Sequence, residues 1–508
     1  MKYSDDLFQL INTLSKNEKG YFKKYAAKHV IGEQNNYILL FDAIEKQNEY
    51  DEEKIKKTFK KETFIKHLPS EKNYLYRMVI KSLMEYHSEL SIATELKNLS
   101  HTIEILYYKG LFKQCDKVIQ KAKIIAEEYE HFQFQLQLLD WESRVIIAMA
   151  DFERLNLFLQ TDLEYKKKLV DHHKTEIELK HLEEKILHLS KAVGFPRNDK
   201  EKADYRKIMD HPFLKDEKKE MMFRSKFHLL NIYCIYYEVL GDNEKTYQYR
   251  KKLIDFADGF PHMIKEEQIR YVIVLNNLLN SQDELKKFSE FKKTLHKLRS
   301  IETRSPNIQA RIFAYSYNLE QTRSIIDGNF SNVIEKHTEV EDGIKKNKNF
   351  MHKEFLVAFK YQFFYGYFGV GDFNNSLKYM NQLLNDDTIK VRQEIYFFAR
   401  IMNLIIHYEL ENFELLAYNI RSTYRFFLSR KRLFKFETVM MEFIKESAKF
   451  HSQKEIKQGY VNLKSKLEEL SNDPYESQVL GFFDIISWLE SKITGRSFAQ
   501  IVQEKNKL

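Results

Sequence analysis

The feature that most constrains the fold is a short motif in which a turn-forming residue is followed two positions later by an aromatic side chain. Its clearest copy lies in residues 106–126, where Phe112 follows Gly110. Glycine can adopt the left-handed backbone conformation that ends a helix, so this stretch is predicted to form a helix, a tight turn and a second helix. Cys115 and Ile119 would then share one face of the second helix. Such a hairpin cannot bury its apolar face alone and therefore needs neighbouring copies of itself.

Further turns of this kind recur along the chain at intervals of 40 to 47 residues. An aromatic residue stands two positions after five of them. Ser281 is instead assigned from a capping box with Glu284, and Ser452 from the amphipathic segment that follows it. A period this regular predicts a stack of helical units. The predicted turns are Gly110, Ala150, Gly194, Gly241, Ser281, Gly328, Gly371, Glu411, Ser452 and Gly495.

The composition of the chain predicts an all-α fold. Its 508 residues include only 14 Gly and 6 Pro, too few for the frequent tight connections of an all-β or α/β protein. The length exceeds the size at which one compact core keeps growing, so we expect several domains or an elongated array. A hydrophobic content of 43% is sufficient for a packed interior.

The repeated unit resembles the tetratricopeptide repeat in the order of its small, aromatic and apolar residues. Residues 110–122 match that pattern well, residues 371–383 match it equally well, and residues 328–340 match it less closely. The units here average about 43 residues instead of ~34, and most lack the tryptophan and the closing proline of the family. The matching positions of the 371 copy are Gly371, Phe373, Ser376, Met380 and Leu383.

The resemblance implies a right-handed α-solenoid of antiparallel helix pairs over residues 69–508. In that family the first helix of each pair lines a groove that binds a peptide or protein segment, and most members carry out no catalysis. Separately, the segment LSKNEKGYFKKYA resembles a set of uncharacterised bacterial proteins, which implies no function.

Residues 1–68 differ from the rest and are predicted to form a small helical cap or module. Ser15 and Glu18 match a capping box, and Asp51 precedes a helix that becomes lysine-rich before Pro69 interrupts it. We interpret the lysines as a solvated face whose stems cover apolar surface. The alternative is a helix-turn-helix-like unit that contacts nucleic acid.

Three basic residues are candidate groove contacts, because each lies eleven residues before a predicted turn. In stacked units Arg270, Lys360 and Arg400 would form a row that could hold an acidic peptide or a carboxylate. Pairing of surface lysines and arginines with nearby Glu would produce the same pattern.

Tyrosines in the predicted first helices are a second set of candidates. The chain has 31 Tyr and 39 Phe, which suits heavy packing between helices as well as an aromatic-lined groove. We expect most of them to pack, and we predict Tyr315, Tyr361 and Tyr365 as groove contacts. The wider group is Tyr233, Tyr236, Tyr237, Tyr315, Tyr317, Tyr361, Tyr365 and Tyr367.

No sequence motif for catalysis or cofactor binding is found. The chain has no GxxxxGK[ST] phosphate loop, no HExxH, no CxxC and no GxSxG elbow. His181, Glu184 and His188 share one helix face at metal-ligand spacing, with His173 nearby. Bundle metal sites draw further ligands from a second helix, and none is evident. We therefore predict no metal, no cofactor and no enzymatic activity.

Net charge, cysteine content and hydropathy limit which binding partners and which cellular compartment we expect for the protein. A net charge of +8 is small beside 82 basic and 74 acidic residues, so we do not expect a nucleic-acid partner. Cys115 and Cys234 are expected to be core residues. No secretory signal is found, and no apolar stretch approaches the ~20 residues of a membrane span. A cytoplasmic protein without a membrane partner is the simplest expectation.

These features together predict a non-enzymatic helical-repeat scaffold or adaptor that captures a protein or peptide segment in its groove. The alternative is a cytoplasmic regulator whose N-terminal module contacts DNA while the repeats sense a peptide.

Overall fold

All regular structure in the described part of the chain is helical, which confirms the all-α prediction for those residues. The computed structural model describes residues 5–28, 35–88, 91–192, 199–216, 220–386, 393–429, 434–447, 450–472 and 480–506. The chain divides into two compact units. Unit 1 comprises residues 1–241 and 255–267, and unit 2 comprises residues 242–254 and 268–508.

The described residues of unit 1 form thirteen α-helices and a short 3-10 helix at Thr63–His67. The α-helices are α1 (Asp6–Thr13), α2 (Lys16–Ala27), α3 (Asn36–Glu45), α4 (Glu52–Thr58), α5 (Leu68–Tyr86), α6 (Ile92–Tyr108), α7 (Phe112–Glu128), α8 (Phe132–Ala148), α9 (Phe152–Ala192), α10 (Asp199–Met209), α11 (Pro212–Lys215), α12 (Phe223–Val239) and α14 (Pro261–Glu266).

Unit 2 begins with α13 (Asn243–Asp258), most of which belongs to it, and continues from α15 to the C-terminus. Its other helices are α15 (Gln268–Glu284), α16 (Phe288–Arg299), α17 (Pro306–Ile326), α18 (Phe330–Glu335), α19 (His337–Asn347), α20 (Lys353–Gly369), α21 (Phe373–Leu384), α22 (Gln393–Glu409), α23 (Phe413–Ser429), α24 (Lys435–Ser447), α25 (Gln453–Leu470), α26 (Ile485–Thr494) and α27 (Phe498–Lys505).

Seven helix ends share one turn geometry, which explains the recurring motif. At each of them a residue with positive φ ends one helix, and a phenylalanine two positions later begins the next. At Gly110 the residue's own N–H donates to the Tyr107 carbonyl at 2.9 Å, and the Leu111 N–H donates to the Leu106 carbonyl at 3.0 Å. These two bonds satisfy carbonyls that a helix end otherwise leaves free. The seven positive-φ residues are Gly110, Glu130, Ala150, Lys286, Gly328, Gly371 and Glu411.

The turn predicted at Ser281 is wrong. Ser281 is buried inside α15, and its hydroxyl accepts a hydrogen bond from the Arg250 guanidinium at 2.7 Å. The apolar spacing of α15 continues through this position, so the helix ends later, at the turn of Lys286 and Phe288. The turn at Glu130 is also missing from the predictions. Neither Glu130 nor Lys286 is a turn-former by type, and only the phenylalanine two positions later marks them.

The helix pair predicted after Ala150 is wrong as well. This interval contains the single helix α9, which runs for 41 residues. Its sequence has no Gly or Pro to end a helix before residue 193. The next predicted turn, Gly194, lies outside the described residues.

Three helix starts follow the sequence rules for capping. Ser15 and Glu18 form the predicted capping box at the start of α2. The Ser452 hydroxyl accepts the Glu455 N–H at the start of α25. Pro69 does not interrupt a helix, because it lies in the first turn of α5, where a missing N–H leaves no hydrogen bond unmade.

Within unit 1 the first five helices share a buried core. Phe22 of α2 stacks on Phe41 of α3 with ring centroids 4.5 Å apart, and Leu75 and Val79 of α5 belong to the same cluster. This cluster therefore continues past residue 68, while the domain boundary drawn there stays a prediction. Beyond it, α6 to α9 pack against their neighbours in sequence, with Cys115 buried between them.

Within unit 2 the helices also pack mainly on neighbours and second neighbours in sequence. α20 contacts α21, α21 contacts α22, and α17 contacts α15, while α17 also contacts α20 past the two short helices between them. The core is rich in aromatic rings, which accounts for many of the phenylalanines. Fully buried examples are Phe330, Phe359, Phe363, Phe364, Phe427 and Phe436.

Candidate functional site

The predicted groove tyrosines of α20 contact the chain's own C-terminal segment. The Tyr361 hydroxyl donates to the Phe482 carbonyl at 2.8 Å, and the Tyr365 hydroxyl accepts the Asp484 N–H at 3.0 Å. Both are bonds to main-chain atoms, the contacts by which a side chain can hold a polypeptide regardless of its sequence. The main-chain partners of Tyr361 and Tyr365 thus belong to the same chain and not to a ligand.

The C-terminal segment, residues 480–506, is part of the core of unit 2. Phe483, Ile485 and Trp488 are each about 1% exposed. Burying three such side chains contributes roughly 5–9 kcal/mol, at about 1.5–3 kcal/mol each. That amount is comparable to the whole stability of a typical domain. We therefore treat this segment as a fixed part of the fold and not as a displaceable ligand.

The predicted basic row also contacts the rest of the chain. Lys360 forms an ion pair with Asp386. The Arg400 guanidinium lies 3.9 Å from the centre of the Phe426 ring and donates to the Tyr396 hydroxyl at 2.8 Å. Both basic side chains therefore have partners within the chain, and a ligand is not needed to explain their positions.

Arg270 loses its place in the row, because its spacing was counted from Ser281. Counted from the observed turn at Lys286, the equivalent position is Leu275, which is fully buried. Tyr315, the remaining candidate, accepts a hydrogen bond from Arg311 at 3.2 Å and packs edge-on against Phe355. Ligand contact by the six predicted residues stays a prediction.

A candidate site in unit 2 is a cleft of about 620 Å³ beside α17, called here the α17 cleft. Its walls come from the end of α16, the loop that follows, one face of α17 and one face of α19. The lining residues are Arg299, Ile301, Glu302, Thr303, Gln309, Ile312, Phe313, Ser316, Tyr317, Glu339, Gly343, Lys346 and Asn347.

A stacked pair of side chains forms one wall of the α17 cleft. The Arg299 guanidinium lies 4.6 Å from the centre of the Tyr317 ring and donates to Glu320 at 2.7 Å. The Tyr317 hydroxyl donates to Glu339 on α19. Burial and the bond to Glu339 raise the pKa of Tyr317 to about 12, so the phenol stays protonated and keeps donating at neutral pH.

The second carboxylate beside this wall is ionised. Burial alone would raise the pKa of Glu320, but hydrogen bonds from Lys336 and Arg299 outweigh it, and the pKa lies below its ordinary value. The Arg299 guanidinium is therefore fixed by two contacts, a charge-assisted hydrogen bond to Glu320 and the aromatic ring of Tyr317.

A close approach between α17 and α19 forms the floor of the α17 cleft. A Cβ at Gly343 would lie 2.1 Å from a ring carbon of Phe313. Only glycine lets the ring rest against the backbone of α19 at this distance. An isolated glycine within a helical pattern signals such an approach, so Gly343 was the available sequence clue to this site.

The other chemical candidates remain dispersed. Among the described residues, no three His, Cys, Asp or Glu side chains come together as a metal site. His181, Glu184 and His188 lie exposed along α9, and His173 contacts Gln133 at 3.1 Å. In the N-terminal helices, Lys56 and Lys72 both pair with Glu52.

Comparison with known proteins gave no matching family model, no matching curated protein and no matching solved structure. Among the described residues, no helix combines the length and apolar character needed to cross a bilayer. Function must therefore be argued from the geometry of the chain itself.

Proposed function

We propose that the protein is a non-enzymatic helical scaffold that binds a segment of another polypeptide in the α17 cleft. The observation that carries the proposal is the cleft itself, about 620 Å³ of open space lined by side chains from three helices and a loop. Ligand sites of this size combine apolar surface with a few placed polar groups.

The lining of the cleft suits a peptide better than a small apolar ligand. Ile301, Ile312 and Phe313 offer apolar contact. The side-chain amides of Gln309 and Asn347 donate to carbonyls of the chain itself, so it is their oxygens that can accept from a peptide backbone. Both signs of charge are also represented in the wall, so a partner with mixed charges fits it better than a polyanion. No chemical step belongs to this proposal.

A right-handed solenoid of antiparallel helix pairs is the arrangement we propose within each unit. Support comes from the seven shared turns and from packing between neighbours and second neighbours in sequence. A stack of helices with such contacts offers continuous surfaces lined by side chains, which is how repeat proteins bind polypeptides.

The proposal is tested by reversing one charge of the cleft. Lys346 and Lys345 are adjacent on α19 and both exposed, but only Lys346 lines the cleft. A partner captured from the native host is identified by mass spectrometry, purified and titrated against both variants. We expect Lys346→Glu to weaken binding about 10-fold and Lys345→Glu to change it by less than about 2-fold.

Two outcomes would contradict the proposal. One is a partner that binds both variants with equal affinity, which would place its site elsewhere. The other is the absence of any polypeptide partner that binds the purified wild-type protein.

A further inference from the structure

Helix α9 of unit 1 carries apolar side chains on two opposite faces. One face packs against α8 and α12 and buries Leu169, Leu179 and Ile186. Residues two positions apart in a helix lie about 200° apart around its axis, and Ile177 is 53% exposed while Leu179 is fully buried. A surface helix normally presents polar residues to solvent, so the second apolar face needs an explanation.

Five of the exposed apolar residues of α9 form a straight stripe, called here the α9 stripe. They follow one another at spacings of seven, four, seven and seven residues, which keeps them on one face of the helix. The residues and their exposed fractions are Phe152 (70%), Leu159 (59%), Leu163 (61%), Val170 (51%) and Ile177 (53%).

Four of the five stripe residues are placed symmetrically about one point of the helix, while Leu163 has Lys166 at its mirrored position. Phe152 and Ile177 lie equally far from the midpoint between positions 164 and 165, and so do Leu159 and Val170. A second copy of α9 laid antiparallel across this midpoint would place Phe152 against Ile177 and Leu159 against Val170. Self-complementarity of this kind is what a two-fold symmetric interface requires.

The charges along the stripe favour the antiparallel direction over the parallel one. In an antiparallel pair, Lys174 lies beside Glu153 of the second copy, while the Lys166 ammonium pairs with Asp140 and Asp162 of its own chain at 2.8 and 3.1 Å. In a parallel pair every residue would face its own copy, so Glu153 would face Glu153 and Lys174 would face Lys174. Opposite charges at these positions set both partner and direction.

We propose that the α9 stripe is a self-association surface on which a second copy of this chain packs antiparallel. From Phe152 to Ile177 the stripe is about 38 Å long at 1.5 Å per residue and about 10 Å wide. The two copies together would cover roughly 800 Å² in projection, below the ~1,200–2,000 Å² of a stable specific complex. The dimer is therefore reversible and depends on concentration.

Sedimentation velocity of the full chain over a concentration series tests this proposal. The wild type is expected to shift from monomer towards dimer as its concentration rises. The double variant Leu159→Glu, Val170→Glu places four carboxylates in the seam of a dimer and is expected to weaken dimerisation by at least about 100-fold. Both side chains are exposed, so the fold should tolerate the change, and an unchanged thermal transition checks this.

The matched control lies on the same helix. Leu157 is 61% exposed but lies about 140° around the helix from Phe152, outside the stripe. Leu157→Glu should leave dimerisation within about 2-fold of the wild type. A wild type that stays monomeric at every concentration would overturn the proposal, and so would equal weakening by the control and the stripe variant.

The direction of packing has its own test. Phe152→Cys and Ile177→Cys proteins are prepared separately, then mixed and treated with a short bis-maleimide. The antiparallel dimer predicts a cross-linked dimer only in the mixture, since the native cysteines, Cys115 and Cys234, are both buried. Cross-linking of the Phe152→Cys protein with itself would show parallel packing and would overturn the proposed symmetry.

Discussion

Replacing Lys286 by glycine is expected to stabilise unit 2, because Lys286 is a non-glycine residue at a φ of 54°. This left-handed conformation costs an L-residue roughly 1–2 kcal/mol, while glycine loses roughly 0.5–1 kcal/mol more backbone entropy on folding. The Lys286 side chain is exposed, so little packing is lost with it. The net gain is about 0.5–1 kcal/mol, which corresponds to a rise in Tm of about 1–4 °C.

The same change at Ser281 is expected to have the opposite sign. Ser281 is 1% exposed in the interior of α15 and accepts a hydrogen bond from Arg250. Ser281→Gly leaves that buried guanidinium with one partner fewer, at a cost of roughly 1–3 kcal/mol, and adds about 1 kcal/mol for glycine inside a helix. The pair of variants therefore distinguishes the observed turn from the one predicted by the capping box.

Tryptophan fluorescence provides the assay, because the chain has 2 Trp and each unit holds one of them. Trp141 reports on unit 1 and Trp488 on unit 2. Thermal unfolding is followed at Trp488 in a Trp141→Phe background, with circular dichroism as a second probe. A fall in Tm with Lys286→Gly, or a rise with Ser281→Gly, would refute the reasoning about the turns.

Three further predictions concern the packing of the C-terminal segment in unit 2, the floor of the α17 cleft and the pH dependence of the stability of unit 1. Trp488→Phe should destabilise unit 2 by about 1–3 kcal/mol in urea, because the indole N–H donates at 2.5 Å to the buried carboxylate of Glu409. Gly343→Ala should cost about 1–3 kcal/mol and weaken ligand binding, because its Cβ would overlap the Phe313 ring. Burial, with a smaller effect from a nearby arginine, lowers the pKa of His131 to about 4. The unfolded chain therefore binds more protons than the folded one between about pH 6.5 and pH 4, so stability falls as pH falls through that window, and His131→Gln should flatten this dependence in acid titrations.

Each of the three has a control within the chain. Trp141→Phe should leave the unfolding of unit 2 unchanged. Gly20→Ala, where a Cβ meets nothing within 4 Å, should be neutral or stabilising by up to about 1 kcal/mol. The control for His131→Gln is the same substitution at His101, whose side chain is exposed. We expect His101→Gln to leave the pH dependence of stability unchanged from the wild type. A loss of stability at Gly20→Ala equal to that at Gly343→Ala would show that the effect comes from the helix and not from the contact.

The all-α class and most of the turns could be predicted from the sequence because they depend on local chemistry. Scarce glycine and proline excluded frequent tight connections, and a phenylalanine after five of the predicted turns marked where the next helix begins. Glu130 and Lys286 escaped prediction because glutamate and lysine have no preference for the left-handed conformation. Phe132 is buried whereas Phe288 is 37% exposed, so burial of the phenylalanine does not account for both turns.

The candidate site was harder to predict from the sequence, because it depends on contacts between segments that lie far apart in the chain. Tyr361 and Tyr365 were predicted as ligand contacts, and the hydrogen-bond partners that the structure gives them lie about 120 residues away in the C-terminal segment. The same segment ends near Gly328, where Gln503 donates to the Gly328 carbonyl at 3.1 Å. No local pattern encodes such pairings, and the same is true of the α17 cleft, whose walls come from separate helices.

The most direct test of the proposed function is site-specific photo-cross-linking in the native host. A photo-reactive phenylalanine derivative is placed at Gln309, an exposed residue of the α17 cleft, or at Lys345, which is exposed outside it. We predict that irradiation joins a polypeptide to the protein from position 309 but not from position 345. We also predict that Lys346→Glu lowers the yield. Equal adducts from both positions, or none from position 309, would contradict binding in the cleft.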